Sequence, residues 1–218
     1  MQPLLPSTTL PAPLRIGERA ADFTARSTRG PLSLSEYRGR WVVLFSHPAD
    51  FTPVCTSEFV AIARAADRFA AMDCALMALS VDSLFSHLAW IRAIHDRFGV
   101  RVEFPVIEDP TMAIARAYGM VAPDAVDASA VRATFFIDPD GVLAASSNYP
   151  ANVGRSVDEI LRTVAALQRA ARGDALVPAD WTPGADVLAM PDQGIEAILA
   201  AEDAAAWFYT TRADGTGA

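Results

Sequence analysis

Trp41–Val81 reads WVVLFSHPADFTPVCTSEFVAIARAADRFAAMDCALMALSV and contains one strand–helix–strand unit. Its ends, Trp41–Ser46 (WVVLFS) and Cys74–Val81 (CALMALSV), are short apolar runs with β-branched and aromatic members, suited to strands covered on both faces. Between them Phe59, Ile62, Ala66 and Phe69 recur at helical spacing, while Arg64, Asp67 and Arg68 can face water. The spacing predicts a crossover helix over Thr52–Met72, which lets the two strands run parallel.

The pattern continues outward. Leu84, Leu88, Ile91 and Phe98 predict a second helix that Gly99 ends, and Phe104–Ile107 is a third short strand. A short helix around Met112–Ala117 follows. Thr134–Ile137 and Val142–Ser147 flank Asp138-Pro139-Asp140-Gly141, a turn sequence that implies an antiparallel hairpin. Val157, Ile160, Leu161, Val164 and Leu167 mark a further helix. The fold class is therefore α/β, a mixed sheet flanked by helices, over residues 14–173.

Before it, Pro3, Pro6, Pro11 and Pro13 disfavour helix and predict an extended arm over residues 1–13. After Gly173 the alternation stops and Pro178, Pro183 and Pro191 punctuate the chain. Residues 174–218 are too few for an independent core, so this extension is expected to pack on the rest of the protein or on a partner subunit.

With 218 residues, 12 glycines and 15 prolines the chain can bury a full core and is not a low-complexity sequence. A formal charge of −8, with no run of Lys or Arg, argues against nucleic acid and anionic membrane as partners. Two cysteines are far from a secreted disulfide framework, Met1–Leu14 lacks the layout of a secretory signal, and no apolar run reaches membrane-span length. A cytoplasmic protein is the expectation.

The chemistry concentrates in Phe45–Glu58 (FSHPADFTPVCTSE), where a strand runs out and a helix begins, the place where open α/β sheets build their sites. Thr52 suits an N-cap and Pro53 the first helical position, which puts Cys55 in the first turn. Unpaired backbone donors and the positive helix end there favour thiolate over thiol. Cys74 instead opens an apolar strand, where burial makes a thiol inert.

Pro48, Thr52 and Cys55 spell the Pro-x-x-x-Thr-x-x-Cys motif of the peroxiredoxins, and HPADFTPVC resembles their one-cysteine subclass. The resemblance runs through His87-Leu88-Ala89-Trp90, Phe104-Pro105-Val106-Ile107, Val131–Pro139 and Asn148-Tyr149-Pro150 to Gly154-Arg155, over about residues 14 to 190. It implies a thioredoxin-like fold with a C-terminal dimer-contact arm, in a homodimer or a ring of dimers. It further implies that Cys55 attacks the peroxide and becomes sulfenic acid, and that Thr52 hydrogen-bonds the substrate. Pro48 then shields the sulfur, and Arg132 holds the thiolate and stabilises charge on the leaving oxygen. Glu58 and Arg155 support Arg132. His47 either tunes the sulfur or anchors a loop. No cofactor is required. His87 and His95, eight apart with no third ligand suggested by spacing, give no metal site, and Trp90 and Phe98 read as core.

No cysteine follows Cys74, so resolution falls to an external thiol such as glutathione or thioredoxin. The lipase activity of some one-cysteine relatives needs a Gly-x-Ser-x-Gly element and an upstream histidine. Here Gly39-Arg40-Trp41 and Leu34 stand in those places, which argues against it. A chaperone-like binder with the same fold is the rival, and the complete Pro48, Thr52, Cys55 and Arg132 set argues against that.

Overall fold

The computed structural model describes residues 14–121, 131–191, 194–200, 203 and 206–215; the N-terminal arm, residues 1–13, lies outside them. The chain divides into two compact units, one ending at Val157 and the other running from Asp158.

The first unit opens with a hairpin of β1 (Thr24–Ser27) and β2 (Gly30–Ser33) and a 3-10 turn at Leu34–Tyr37. Next come β3 (Trp41–Ser46), α1 (Pro53–Arg64), α2 (Ala66–Ala71), β4 (Cys74–Ser80) and α3 (Leu84–Phe98). β5 (Val106–Glu108), α4 (Ala113–Ala117), β6 (Arg132–Ile137) and β7 (Leu143–Tyr149) complete it. The strands form one seven-stranded sheet in the order β2-β1-β5-β4-β3-β6-β7. β3, β4 and β5 are parallel, β6 is antiparallel to β3 and β7, and β1 is antiparallel to β2 and β5.

β3 shows why its sequence is apolar throughout. Val42 and Leu44 join a core with Leu32, Met77, Leu79 and Phe135. On the other face Phe45 stacks edge-on to Phe59 and Phe104 at 5.8 and 5.6 Å, and Phe59 meets Trp90 at 4.4 Å. The predicted hairpin is present. Gly141, at φ 75°, closes its turn by donating to the Asp138 carbonyl at 2.9 Å, and the Asp138 carboxylate receives Val142 N at 2.8 Å. Gly99 likewise ends α3 in the left-handed region, at φ 66°.

Two expectations need correction, and one element was not anticipated. The crossover helix breaks at Ala65, which leaves helical geometry at φ −96° and ψ 2°. Because Ile62, Ala65 and Phe69 are all buried across the break, the apolar spacing carries no sign of it. On α3 the buried stripe is His87, Trp90 and Ile94. Leu88 and Phe98 are 45% and 40% exposed, so Phe98 is not core; the buried face was hidden because one of its members is a histidine. The β1–β2 hairpin escaped periodicity altogether, since its four-residue strands hold a single fully buried apolar side chain, Leu32.

The second unit contains α5 (Val157–Ala170), whose first residue sits at the division. It also holds the two-residue strands β8 (Val187–Leu188) and β9 (Thr211–Arg212), paired antiparallel, with α6 (Ile195–Ala200) between them. Its small core of Ala175, Trp181 and Val187 packs against Ala165 and Ala166 of α5, and Arg169 bridges Asp174 and Asp214 at 2.6 Å each. Among the described residues no helix is long and apolar enough to cross a membrane.

Candidate active site around Cys55

β3 ends at Ser46, and this serine fastens the start of β6 beside it. Its hydroxyl donates to the Val131 carbonyl at 2.5 Å and accepts Ala133 N at 3.0 Å. Arg132, the residue between, is thereby delivered to the loop that links β3 to α1.

Cys55 is the third residue of α1 and is fully buried. Arg132 Nη1 lies 3.3 Å from its Sγ and 2.7 Å from Glu58 Oε2. The rest of the guanidinium is fixed by the Ala151 carbonyl, which accepts from Nε at 2.9 Å and Nη2 at 2.6 Å. Arg155 donates to Glu58 from its backbone N and Nε (Oε1) and from Nη2 (Oε2), each at 2.8 Å, and reaches the Ala133 carbonyl at 2.9 Å. Its guanidinium also lies over the Phe45 ring, 5.2 Å from the centroid.

All three charged side chains are 2% exposed. Burial alone would raise the Glu58 pKa, but hydrogen bonds and charge from Arg155, with the charge of Arg132, hold it below the usual carboxylate value. Two guanidinium groups against one carboxylate leave a net positive charge in a dry site. That charge faces the Cys55 sulfur, which Arg132 touches, and an uncompensated buried charge is costly.

Thr52 occupies the N-cap position with extended backbone, φ −94° and ψ 149°, but its side chain does not cap. The hydroxyl turns back and donates to the Ala49 carbonyl at 2.8 Å. Its proton is thus committed, and its lone pairs remain for a donor such as a peroxide O–H. Pro48 is half-buried in the same loop.

His47 sits in a buried trio that the sequence did not reveal. His47 Nε2 meets Asp50 Oδ1 at 2.9 Å, and His87 Nδ1 on α3 meets Asp50 Oδ2 at 2.8 Å. Asp50 N donates to Asp82 Oδ2 at 2.8 Å, so the loop is tied both to α3 and to the segment following β4. Burial resists ionisation of Asp50, but hydrogen bonds from His47 and His87 hold its pKa well below the usual range. Burial holds His47 below the ordinary imidazole value against the pull of Asp50. His47 Nδ1 and His87 Nε2 are buried with no hydrogen-bond partner among the described residues.

These three residues bring ligand atoms within 4.8 Å of one another, so His87 does have companions; they are His47 and Asp50, not His95, which faces Asp96 on the surface. Each carboxylate oxygen is taken by one ring, which makes the trio a brace for the loop. The signal available in sequence was Asp50 itself, three residues after His47; its partner His87 is 37 positions away and had no local mark.

Cys74 stands at the other end of the strand pair, opposite Trp41. The length of β3, roughly 17 Å at about 3.3 Å per residue, separates that end from the Cys55 loop, against the roughly 4.4–6.8 Å Cα separation a disulfide needs. Both cysteines are free, and burial, opposed by the charge of Arg40, pushes the Cys74 thiol up to about 12.

The AhpC/TSA family matches residues 16–146. Peroxiredoxin 2 of Caldanaerobacter subterraneus subsp. tengcongensis is 48% identical over 187 residues, covering 86% of this chain and 83% of that protein. Among solved structures, a cysteine-to-serine variant of peroxiredoxin 6 from Arenicola marina superposes with a TM-score of 0.77 at 36% identity, covering 85% of this chain and 87% of the other. A yeast mitochondrial 1-Cys peroxiredoxin, described in terms of thiol resolution via glutathione/thioredoxin systems, gives 0.76 at 38% identity over 85% and 92%.

Proposed function

This chain belongs to the AhpC/TSA family, the peroxiredoxins, which are thiol-dependent peroxidases, and from that premise we propose a one-cysteine mechanism centred on Cys55. The observation that carries it is the Arg132 Nη1 contact to Cys55 Sγ at 3.3 Å, with the guanidinium held from behind by Glu58 and Ala151. The Cys55 thiolate attacks the near oxygen of hydrogen peroxide or an organic hydroperoxide. An S–O bond forms, the O–O bond breaks, and the far oxygen leaves as water or alcohol after taking a proton. Arg132 stabilises the charge moving onto that oxygen, Thr52 accepts from the peroxide O–H, and Pro48 covers the sulfur.

Resolution comes from an external thiol, glutathione, thioredoxin or a similar donor. The support is the absence of any cysteine after Cys74 together with the opposite strand-end placement and raised pKa of Cys74 itself. Antioxidant defence is the corresponding role. We place the enzyme in the cytoplasm, the reducing compartment that suits a chain with two cysteines and no disulfide framework. We also assign it a homodimer, or a ring of dimers, in which the extension from residue 174 makes contacts. The exposure of Ile195, Leu199, Phe208 and Tyr209 in that extension supports the assignment. The test is peroxide consumption with a generic dithiol, where Cys55→Ser must remove activity and wild type must turn over repeatedly.

A further inference from the structure

The peptide unit between Ala49 and Asp50 is held from both sides. Its carbonyl accepts the Thr52 hydroxyl at 2.8 Å, and its N–H donates to Asp82 Oδ2 at 2.8 Å. Among the described residues no peptide bond is cis, so these two bonds leave the unit in opposite directions and together fix its plane. Asp82 is itself fixed by the end of β4. The buried Ser80 hydroxyl donates to Asp82 Oδ2 at 3.2 Å and accepts Asp82 N at 3.1 Å. The loop is therefore referred to the sheet through a carboxylate 32 residues away. This turn needs holding. Phe51 sits in the left-handed region at φ 56°, a conformation that a non-glycine residue keeps only where its surroundings over-determine it. Its ring is 59% exposed, so the constraint falls to the bonds made by Asp50 just before it.

We propose that Asp82 is a positioning residue for peroxide reduction, orienting the Thr52 hydroxyl through the 49–50 peptide. The inference rests on the reading of Thr52 as the group that accepts the peroxide O–H. A hydroxyl carries one proton and two lone pairs, and it rotates to suit its neighbours. The direction of the Ala49 carbonyl decides where the Thr52 proton goes, and so where its lone pairs face. A carboxylate on the N–H makes a charge-assisted bond, and it polarises the carbonyl of the same unit into a stronger acceptor. Without it the unit is free to rotate, and the Thr52 proton can turn toward the peroxide, setting donor against donor. His47 and His87 do not replace Asp82 here, because they bind the Asp50 carboxylate and not this peptide.

The experiment measures the second-order rate of Cys55 oxidation by hydrogen peroxide, and the pH profile of Cys55 alkylation by iodoacetamide, in Asp82→Ala, Asp82→Asn, Thr52→Val and Thr52→Val/Asp82→Ala. Misplacing one substrate-positioning group predicts a peroxide rate about tenfold lower in Asp82→Ala. Asp82→Asn keeps an acceptor oxygen in place and should recover to within about threefold of wild type. The alkylation profile should not move in either, since it depends on Arg132 and the start of α1 and not on Thr52. Thr52→Val should slow peroxide reduction at least as far as Asp82→Ala. In that background Asp82→Ala should then change the rate by less than about twofold, because the residue through which it acts is gone. A wild-type rate in Asp82→Ala, a parallel fall in alkylation, no recovery in Asp82→Asn, or an undiminished effect on the Thr52→Val background each overturn the proposal. If Thr52→Val alone leaves the peroxide rate unchanged, the reading of Thr52 has failed and the proposal falls with it, and that single variant shows it before Asp82 is altered.

Discussion

Arg155 grips Glu58 through three hydrogen bonds of 2.8 Å, one from its backbone and two from its guanidinium. Glu58 in turn holds Arg132 at 2.7 Å, so the arginine facing the sulfur is positioned by a residue that never touches it. Glu58→Gln removes the one carboxylate between two buried cations. We expect a loss of about 3 kcal/mol in stability, the cost of leaving a buried ion without its partner. The stability change is read by urea denaturation. Peroxide reduction should also slow, while Glu58→Asp recovers part of it by keeping the charge.

Arg132→Met removes the donor to Cys55 at near-constant volume. The second-order rate with hydrogen peroxide should fall about 10²- to 10³-fold, the size of effect seen when one donor to a developing oxyanion is deleted. Iodoacetamide alkylation of Cys55 at pH 7 should slow as well, because the thiolate loses its neighbouring cation. Unchanged alkylation would remove Arg132 from the role assigned to it.

How much of this could be read in the sequence depends on distance along the chain. Pro48, Thr52 and Cys55 lie within one loop and one helical turn, so spacing alone put the sulfur at a helix start. Arg132 came only from resemblance, since on a strand it looks like any surface arginine; what fixes it is Ser46 binding both of its neighbours. The Asp50–His87 pair joins residues 37 apart, and the same burial that pairs them turned α3 away from its most apolar stripe. Thr52 was legible as a cap by position but not by contact, because its hydroxyl finds the Ala49 carbonyl first.

Cys74 should be silent. With its thiol pushed up to about 12 by burial, it should resist iodoacetamide at pH 8 in the native protein, and Cys74→Ser should keep most of the peroxidase activity. Peptide mapping of the alkylated protein separates the two thiols. Comparable labelling of both would contradict their separation into reactive and inert.

The His47 brace predicts a pH dependence of stability. The His47 pKa is lowered in the folded state, so the unfolded chain takes up a proton that the native one refuses. Its contribution is therefore complete above about 6.5, the ordinary imidazole value, and is lost as pH falls below it. Urea midpoints should drop between pH 7.5 and 5.5, and His47→Asn should flatten that drop. An equal drop in the variant would assign the dependence to other groups.

The most direct measurement is intact mass of the protein exposed to increasing hydrogen peroxide with no reductant present. With Cys55 the attacking sulfur and no resolving cysteine in the chain, the mass should rise in steps of about 16 Da as sulfenic, sulfinic and sulfonic acids form in turn. Cys55→Ser should abolish every step, and Cys74→Ser should change none. Stoichiometric loss of about 2 Da within a chain, or a covalent dimer at a rate matching peroxide loss, would instead mark a disulfide and contradict the one-cysteine account.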